Sequence, residues 1–275
     1  MEIQRYSGAG NTFVMVNNLD GKILNRREAV LELISRDENK NFDGVIFLED
    51  SSIADFHMNY FNRDGTGDAL CGNGLRCTAR YILDNCISDK NILLIEAVEK
   101  IYNTDFHQNG EISVGFPPPA KLKLKFKLKV HFTQWWQLLT VSYTEVGSPH
   151  IVVFIDNIEK PAVKSLDDIP IDDWGRNLRM HKDLMPEGAN VNFVKVESPE
   201  RGEIAIRSFE RGVEAETLAC GTGALSSAIV SYALRDVKTP VRVMTKSGEY
   251  LTVNFDIIEN QIRNLSLAGN AVRLE

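Results

Sequence analysis

The chain has 275 residues, 43% of them hydrophobic and 25% charged, with a formal net charge of −7. That is ordinary globular composition on the scale of one large domain or two of ~130 residues, which excludes disordered, collagen-like and disulfide-dense architectures. An acidic chain also lacks the basic footprint of a nucleic-acid binder, and no apolar run approaches the ~20 residues that cross a bilayer.

Residues 1–6 read as a strand with polar side chains at alternate positions, and not as a secretory signal, which would set a basic segment before an apolar one. Residues 26–34 have helical spacing, and residues 45–48 and 56–61 read as strands. A polar loop from Phe61 to Leu70 then leads into Cys71-Gly72-Asn73-Gly74 and a predicted helix over 75–83. Strands over 92–97 and 111–116 precede Pro117-Pro118-Pro119, the natural domain boundary. Residues 121–132 alternate five lysines with apolar side chains, which predicts a surface strand with one wet face whose lysines also guard an edge. Trp135 and Trp136 read as packing residues. Further strands are predicted over 141–146, 151–155, 191–196 and 203–209, with a short helix near 171–181.

The second half then repeats the first. Phe209-Glu210-Arg211-Gly212 and a polar loop lead into Ala219-Cys220-Gly221-Thr222-Gly223 and a predicted helix over 224–234. Both segments run strand end, Gly-containing loop, Cys-Gly-x-Gly, helix, and lie just over half the chain apart, which is the signature of a duplicated fold. Strands over 241–245 and 251–255 follow, and residues 261–274 alternate like a strand that could return to either half. The predicted class is α+β: two pseudo-symmetric domains, each with antiparallel sheet wrapped around a helix. Residues 1–117 carry Cys71 and 118–264 carry Cys220, with 265–275 able to rejoin the first.

A cysteine at a helix start faces backbone N–H groups that have no intrahelical partner, and the helix dipole there favours negative charge. Both effects pull a thiol below its usual ~8.5. The glycines let a ligand approach the backbone, and the N–H groups form an anion site. Two such turns, one per half, imply a thiol on each side of a substrate, which is what inversion at a carbon centre requires. One thiolate takes a proton from one face while the opposite thiol supplies one to the other. Cys77 and Cys86 read as core residues, and the four cysteines have neither zinc-knuckle nor Cys-x-x-Cys spacing, so no metal and no dithiol redox chemistry is expected. Gly8-Ala9-Gly10 lacks the third glycine of a dinucleotide fingerprint, with Phe13 in its place.

These motifs resemble those of the diaminopimelate epimerase family along essentially the whole chain. The resemblance rests on Ser7-Gly8-Ala9-Gly10-Asn11-Thr12-Phe13, Phe61-Asn62-x-Asp64-Gly65, Cys71-Gly72-Asn73-Gly74-x-Arg76-Cys77 and Gly147-Ser148-Pro149-His150. It continues through Ala189-Asn190-Val191-x-Phe193, Glu210-Arg211-Gly212 and Glu216-Thr217-x-Ala219-Cys220-Gly221-Thr222-Gly223. It implies cofactor-independent interconversion of LL- and meso-diaminopimelate by a cytoplasmic homodimer on the lysine and peptidoglycan route. By that resemblance Cys71 and Cys220 are the acid/base pair. Gly72, Asn73, Gly221 and Thr222 bind the reacting carboxylate. Asn11, Asn62, Asn190 and Arg211 hold the other polar ends of the substrate, Glu210 meets its ammonium, and His150 and Glu210 tune the cysteines. The partner is thus a small amino acid, not a nucleic acid or a membrane. Three departures touch recognition of the substrate's far end: Ser148 where the family usually has asparagine, Gly44 where some members use glutamine, and one extra residue between Glu210 and Cys220. They leave a related two-cysteine racemase with another substrate as the alternative.

Overall fold

The computed structural model describes residues 2–67, 70–132 and 135–275. The sequence readings that involve Asp68, Ala69 and the Trp135 side chain lie outside the described residues. The first half runs β1 (Ile3–Gly8), β2 (Asn11–Asn17), α1 (Arg26–Ser35), β3 (Gly44–Glu49), β4 (Phe56–Asn62), α2 (Gly72–Asp84), β5 (Ile92–Ala97), β6 (Lys100–Phe106) and β7 (Ile112–Gly115). Pairing alternates along it: β1–β2 antiparallel, β2–β3 parallel, β3–β4 antiparallel, β4–β5 parallel, β5–β6 antiparallel.

The second half runs β8 (Lys121–Phe132), β9 (Trp135–Val146), β10 (Ser148–Phe154), α3 (Ile171–Arg179), β11 (Asn190–Ser198), β12 (Glu203–Glu210) and β13 (Ala215–Thr217). It continues with α4 (Gly221–Arg235), β14 (Val241–Met244), β15 (Tyr250–Ile258), β16 (Gln261–Gly269) and β17 (Val272–Leu274). From β9 the same alternation recurs: β9–β10 antiparallel, β10–β11 parallel, β11–β12 antiparallel, β12–β14 parallel, β14–β15 antiparallel. The sheets are therefore mixed, with parallel pairs beside the antiparallel ones that were expected. The reason is the helices, since a parallel neighbour requires a long crossover. α1 and α2 are the crossovers of the first half, α3 and α4 those of the second.

By contacts the chain divides into two compact units, Met1–Gly115 with Ala268–Glu275, and Phe116–Leu267. β17 pairs antiparallel with β1, Leu274 opposite Arg5, so the last strand completes the first unit. Within that unit Val30 and Leu33 of α1 pack on Val14, Val16, Val45 and Phe47. α2 is buried from Gly72 to Ala79 and again at Tyr81 and Ile82, the pattern of a helix enclosed on nearly all sides. In the second unit Ile171, Trp174 and Leu178 of α3 join Phe193 and Phe209, and α4 is buried from Gly223 to Ser231. Gly175 is obligatory there, because a Cβ would lie 2.5 Å from that of Phe209.

Three readings need correction. β8 forms as expected, with Leu128, Val130 and Phe132 in the core, but Leu122 and Leu124 are exposed, so its first half is wet on both faces. Trp136 is 62% exposed, with the Lys129 ammonium 5.4 Å from its ring centroid, and does not pack inward. Cys86 is exposed: α2 ends at Asp84, and the chain turns out to solvent through Cys86 in a left-handed conformation at φ 50°. Cys77, on α2, is fully buried as expected.

Candidate active site

In the first unit β4 ends at Asn62, and Cys71 is the N-cap of α2. The Cys71 sulfur accepts the Gly74 N–H at 3.3 Å, so the thiol does what a serine or aspartate cap does elsewhere. The first intrahelical bond is Leu75 N–H to Cys71 C=O, which leaves Gly72 and Asn73 N–H in the unpaired first turn. Behind the cap lies a relay of amides. Arg76, fully buried on α2, donates to Asn73 Oδ1 at 2.7 Å, and Asn73 Nδ2 donates to Asn11 Oδ1 at 2.6 Å. Asn11 Nδ2 in turn donates to Asp43 at 3.3 Å. Asn62 stands at the end of β4 opposite Gly44, accepting from the Tyr60 hydroxyl and donating to Thr66. Neither Arg76 nor Asp43 was singled out from sequence.

In the second unit Cys220 is likewise the N-cap of α4, reached from β12 through the short strand β13, but its side chain makes no cap hydrogen bond. The Thr222 hydroxyl lies 3.6 Å from its sulfur. Around Thr222 the structure gathers Ser148, His150, Asn190 and Asn192. His150 Nε2 is 2.9 Å from Thr222 Oγ1 and 3.0 Å from Ser148 Oγ. Asn190 accepts the Arg211 N–H at 2.7 Å and donates to Ser148 at 3.2 Å. Ser148 therefore belongs to the Cys220 neighbourhood. Glu210 takes a hydrogen bond from Thr217 and lies against the Cys220 thiol, and the exposed Arg211 guanidinium is steadied by the Glu187 carbonyl at 3.2 Å. Asn192 and Ser208, buried behind His150, escaped the sequence analysis.

The electrostatics depart from the expectation of two lowered thiols. Burial and then the Glu210 carboxylate push the Cys220 thiol up, with the Thr222 hydroxyl and Gly223 N–H only partly opposing them. Desolvation of a charge in this site outweighs the helix N-terminus. His150 is held down to about 3, first by burial and then by Arg211, so its ring is neutral at physiological pH. Unfolding returns the ring to its ordinary 6.5. The stability it contributes is therefore complete above pH 6.5 and is lost as pH falls from 6.5 towards about 3. The melting temperature of His150→Gln is expected to fall less steeply across that window than that of the parent. Parallel slopes in a pH series of thermal melts would remove His150 from the acid transition.

The other departures also have a physical place. A Cβ on Gly44 would lie 2.2 Å from the Phe61 carbonyl oxygen, so this backbone admits no glutamine there. After Glu210 the chain forms a tight hairpin, with left-handed Gly212 and Glu214, that pairs β12 with β13 and ties Glu214 to Arg179 at 3.0 Å. Among the described residues no group of three or more His, Cys, Asp or Glu side chains is arranged to hold a metal ion, and no helix is long and apolar enough to cross a membrane.

Comparison with known proteins completes the picture. The family model described as diaminopimelate epimerase matches residues 4–119 and 142–273, and the unmatched interval falls in the β8–β9 hairpin. The chain is 35% identical to diaminopimelate epimerase of Chlorobaculum tepidum over 258 residues, 93% of each chain. It is 33% identical to that of Aquifex aeolicus over all of this chain and 96% of the other. Among solved structures, a Bacillus anthracis phenazine biosynthesis protein of the PhzF family superposes with a TM-score of 0.74 at 19% identity, over 100% of this chain and 98% of that one. A hydroxyproline epimerase from Agrobacterium vitis does so at 0.68 and 14%, over 99% and 90%. At those identities the structural likeness speaks for the fold alone. With the sequence matches spanning both units, the chain belongs to the diaminopimelate epimerase family and is an isomerase.

Proposed function

We propose that this enzyme interconverts LL- and meso-2,6-diaminopimelate by two-base proton transfer between Cys71 and Cys220, without a cofactor. The observation that carries the reading is the equivalence of the two poles. α2 and α4 each begin directly after a cysteine at the N-cap, and each helix crosses between parallel strands, β4 and β5 in the first unit and β12 and β14 in the second.

In the proposed reaction one cysteine is thiolate and the other thiol. The thiolate sulfur takes the proton from Cα and becomes S–H, while the C–H electron pair moves into the carboxylate. The opposite thiol gives its proton to the other face of Cα and becomes the thiolate, so charge and protons balance and the reverse reaction exchanges the roles. The N–H groups of Gly72, Asn73, Gly221 and Thr222 take up the charge that develops on the carboxylate, as donors aimed at a forming oxyanion. One such donor contributes roughly 3–4 kcal/mol, less than the ~8–23 kcal/mol an enzyme commonly supplies, so exclusion of water must add to it. Burial and Glu210 favour Cys220 as the protonated partner at rest. Asn11, Asn62, Asn190 and Arg211 hold the remaining polar groups, with Arg211 suited to a bidentate grip on a carboxylate. Glu210 meets an ammonium, and His150 tunes Cys220 through Thr222. The enzyme would act as a cytosolic homodimer supplying lysine and peptidoglycan precursors.

Incubation with LL-diaminopimelate and a panel of other amino acids in deuterated water, followed by NMR, tests the substrate. Deuterium is expected at Cα of diaminopimelate together with conversion between its isomers. Exchange confined to another amino acid would replace this reading by the related racemase, the alternative that Ser148 and Gly44 keep open.

A further inference from the structure

We propose that Asn192 and Ser208 are positioning residues that set the tautomer of His150 and, through it, compel the Thr222 hydroxyl to donate its hydrogen to the Cys220 sulfur. The relay deepens the two-cysteine reading above and rests on it for its catalytic consequence.

The direction of every bond follows from two backbone groups whose polarity cannot change. Asn192 Nδ2 lies 3.4 Å from the Ile151 carbonyl, which can only accept, so that atom is the amide nitrogen and not the oxygen. The Ser208 hydroxyl, 2.8 Å from Asn192 Oδ1, donates to it in that orientation and braces the amide. Asn192 Nδ2 is also 2.9 Å from His150 Nδ1, which must therefore accept, so the hydrogen of the neutral ring sits on Nε2. The second anchor is the Arg211 N–H, which can only donate, and it holds Asn190 Oδ1 at 2.7 Å. Asn190 Nδ2 consequently donates to Ser148 Oγ at 3.2 Å, and its 3.3 Å approach to His150 Nε2 is a donor–donor contact that carries no bond in this relay.

From the ring the proposed relay runs outward to the sulfur, with Ser148 Oγ, 3.0 Å from Nε2, beside its first step. His150 Nε2–H donates to Thr222 Oγ1 at 2.9 Å. The Ser148 hydroxyl has Thr222 Oγ1, 3.2 Å away, as the acceptor in reach among the described residues. With both lone pairs taken, Thr222 gives its own hydrogen outward, and the Cys220 sulfur stands 3.6 Å away. The bond strengthens when that sulfur becomes a thiolate. Charged groups around this chain are Glu210, against the thiol, and Arg211, which disfavours a charge on His150. A neutral ring keeps the polarity of the relay constant across the working pH range.

Asn192→Asp is the nearly isosteric test, because a carboxylate accepts where the amide donated. The ring must then carry its hydrogen on Nδ1, Nε2 becomes an acceptor, and Thr222 turns its hydrogen from sulfur to nitrogen. In protein labelled with 15N-histidine, long-range 1H–15N spectra are expected to show His150 as the Nε2–H tautomer in the parent and as the Nδ1–H tautomer in Asn192→Asp. The variant is expected to lose about tenfold or more in kcat, with KM for diaminopimelate changed less than twofold. An Nδ1–H ring in the parent would overturn the relay without any variant. An inverted tautomer with unchanged kcat would overturn its catalytic role. Should Asn192→Asp fail to fold, the parent tautomer and the kcat of Ser208→Ala decide instead, the latter expected to fall with KM held. The ring assignment stands whether or not diaminopimelate is the substrate, so failure of the relay and failure of the functional reading are told apart.

Discussion

Cys71→Ala and Cys220→Ala are each expected to lower the rate of inversion at Cα by at least ~10³-fold, since each removes one of the two proton-transfer groups of the proposed reaction. Inversion needs a donor and an acceptor on opposite faces. A chain with one thiol can take a proton and return one, but only on the face that thiol addresses. The singly substituted enzymes are therefore expected to retain slow deuterium incorporation into one isomer each, without conversion to the other, and the retained isomer should differ between the two. Stereo-resolved NMR of the exchange reaction checks this. Inversion within tenfold of the parent in either variant would remove that cysteine from the mechanism. Cys77→Ala is the control: Cys77 is fully buried on α2, with its sulfur 3.1 Å from the Cβ position of Gly8. It is expected to keep turnover within a few-fold and to lose stability by a cavity effect.

The duplicated cysteine turns were legible because their residues answer to local demands, a cysteine at the N-cap, glycines that open the backbone and a helix that follows. The helix starts could be placed within three residues for the same reason. What escaped were elements whose identity depends on the rest of the fold. β2 holds a continuous buried run, Phe13-Val14-Met15-Val16, and a strand covered on both faces has no alternation to read. β6 carries Asn103 and Asp105, poor strand formers held in place by pairing to β5. Parallel pairing was missed because nothing in a strand's own sequence records the direction of its neighbour. At the site, Arg76, Asn192 and Ser208 stayed hidden for a related reason. Each acts through another side chain across a strand or along a helix, so single-residue reasoning finds them no task. The rise of the Cys220 thiol was missed because the helix N-terminus is visible in sequence, whereas burial is not.

The second glycine of each Cys-Gly-x-Gly motif gives the other large effect, and an unequal one. Neither Gly74 nor Gly223 has a positive φ, so alanine meets no backbone strain at either, and the outcome depends on room. At Gly223 a Cβ would lie 2.4 Å from Asn192 Oδ1 and 3.2 Å from both Cβ and Sγ of Cys220. That amide is pinned by Ser208, His150 and the Ile151 carbonyl, so it cannot yield without breaking the bonds that orient the ring. At Gly74 a Cβ would meet the tip of Ile46 at 3.1 Å, Cys71 Cβ at 3.3 Å and the Met58 sulfur at 3.5 Å, and the outer two are side-chain ends able to shift by a few tenths of an ångström. Alanine also gains up to ~1 kcal/mol of helix propensity over glycine, which can offset the milder clash but not the severe one. Gly223→Ala is accordingly expected to cost about 1–3 kcal/mol of stability, as overpacking of a fixed interior does. Its kcat should fall at least ~10²-fold, because Cys220 and its relay are displaced together. Gly74→Ala is expected to stay within about 1 kcal/mol of the parent and within roughly tenfold in kcat. Denaturant midpoints at equal m-value and exchange rates in deuterated water measure both, and a reversed order of severity would mean that Asn192 is not held as the hydrogen bonds require.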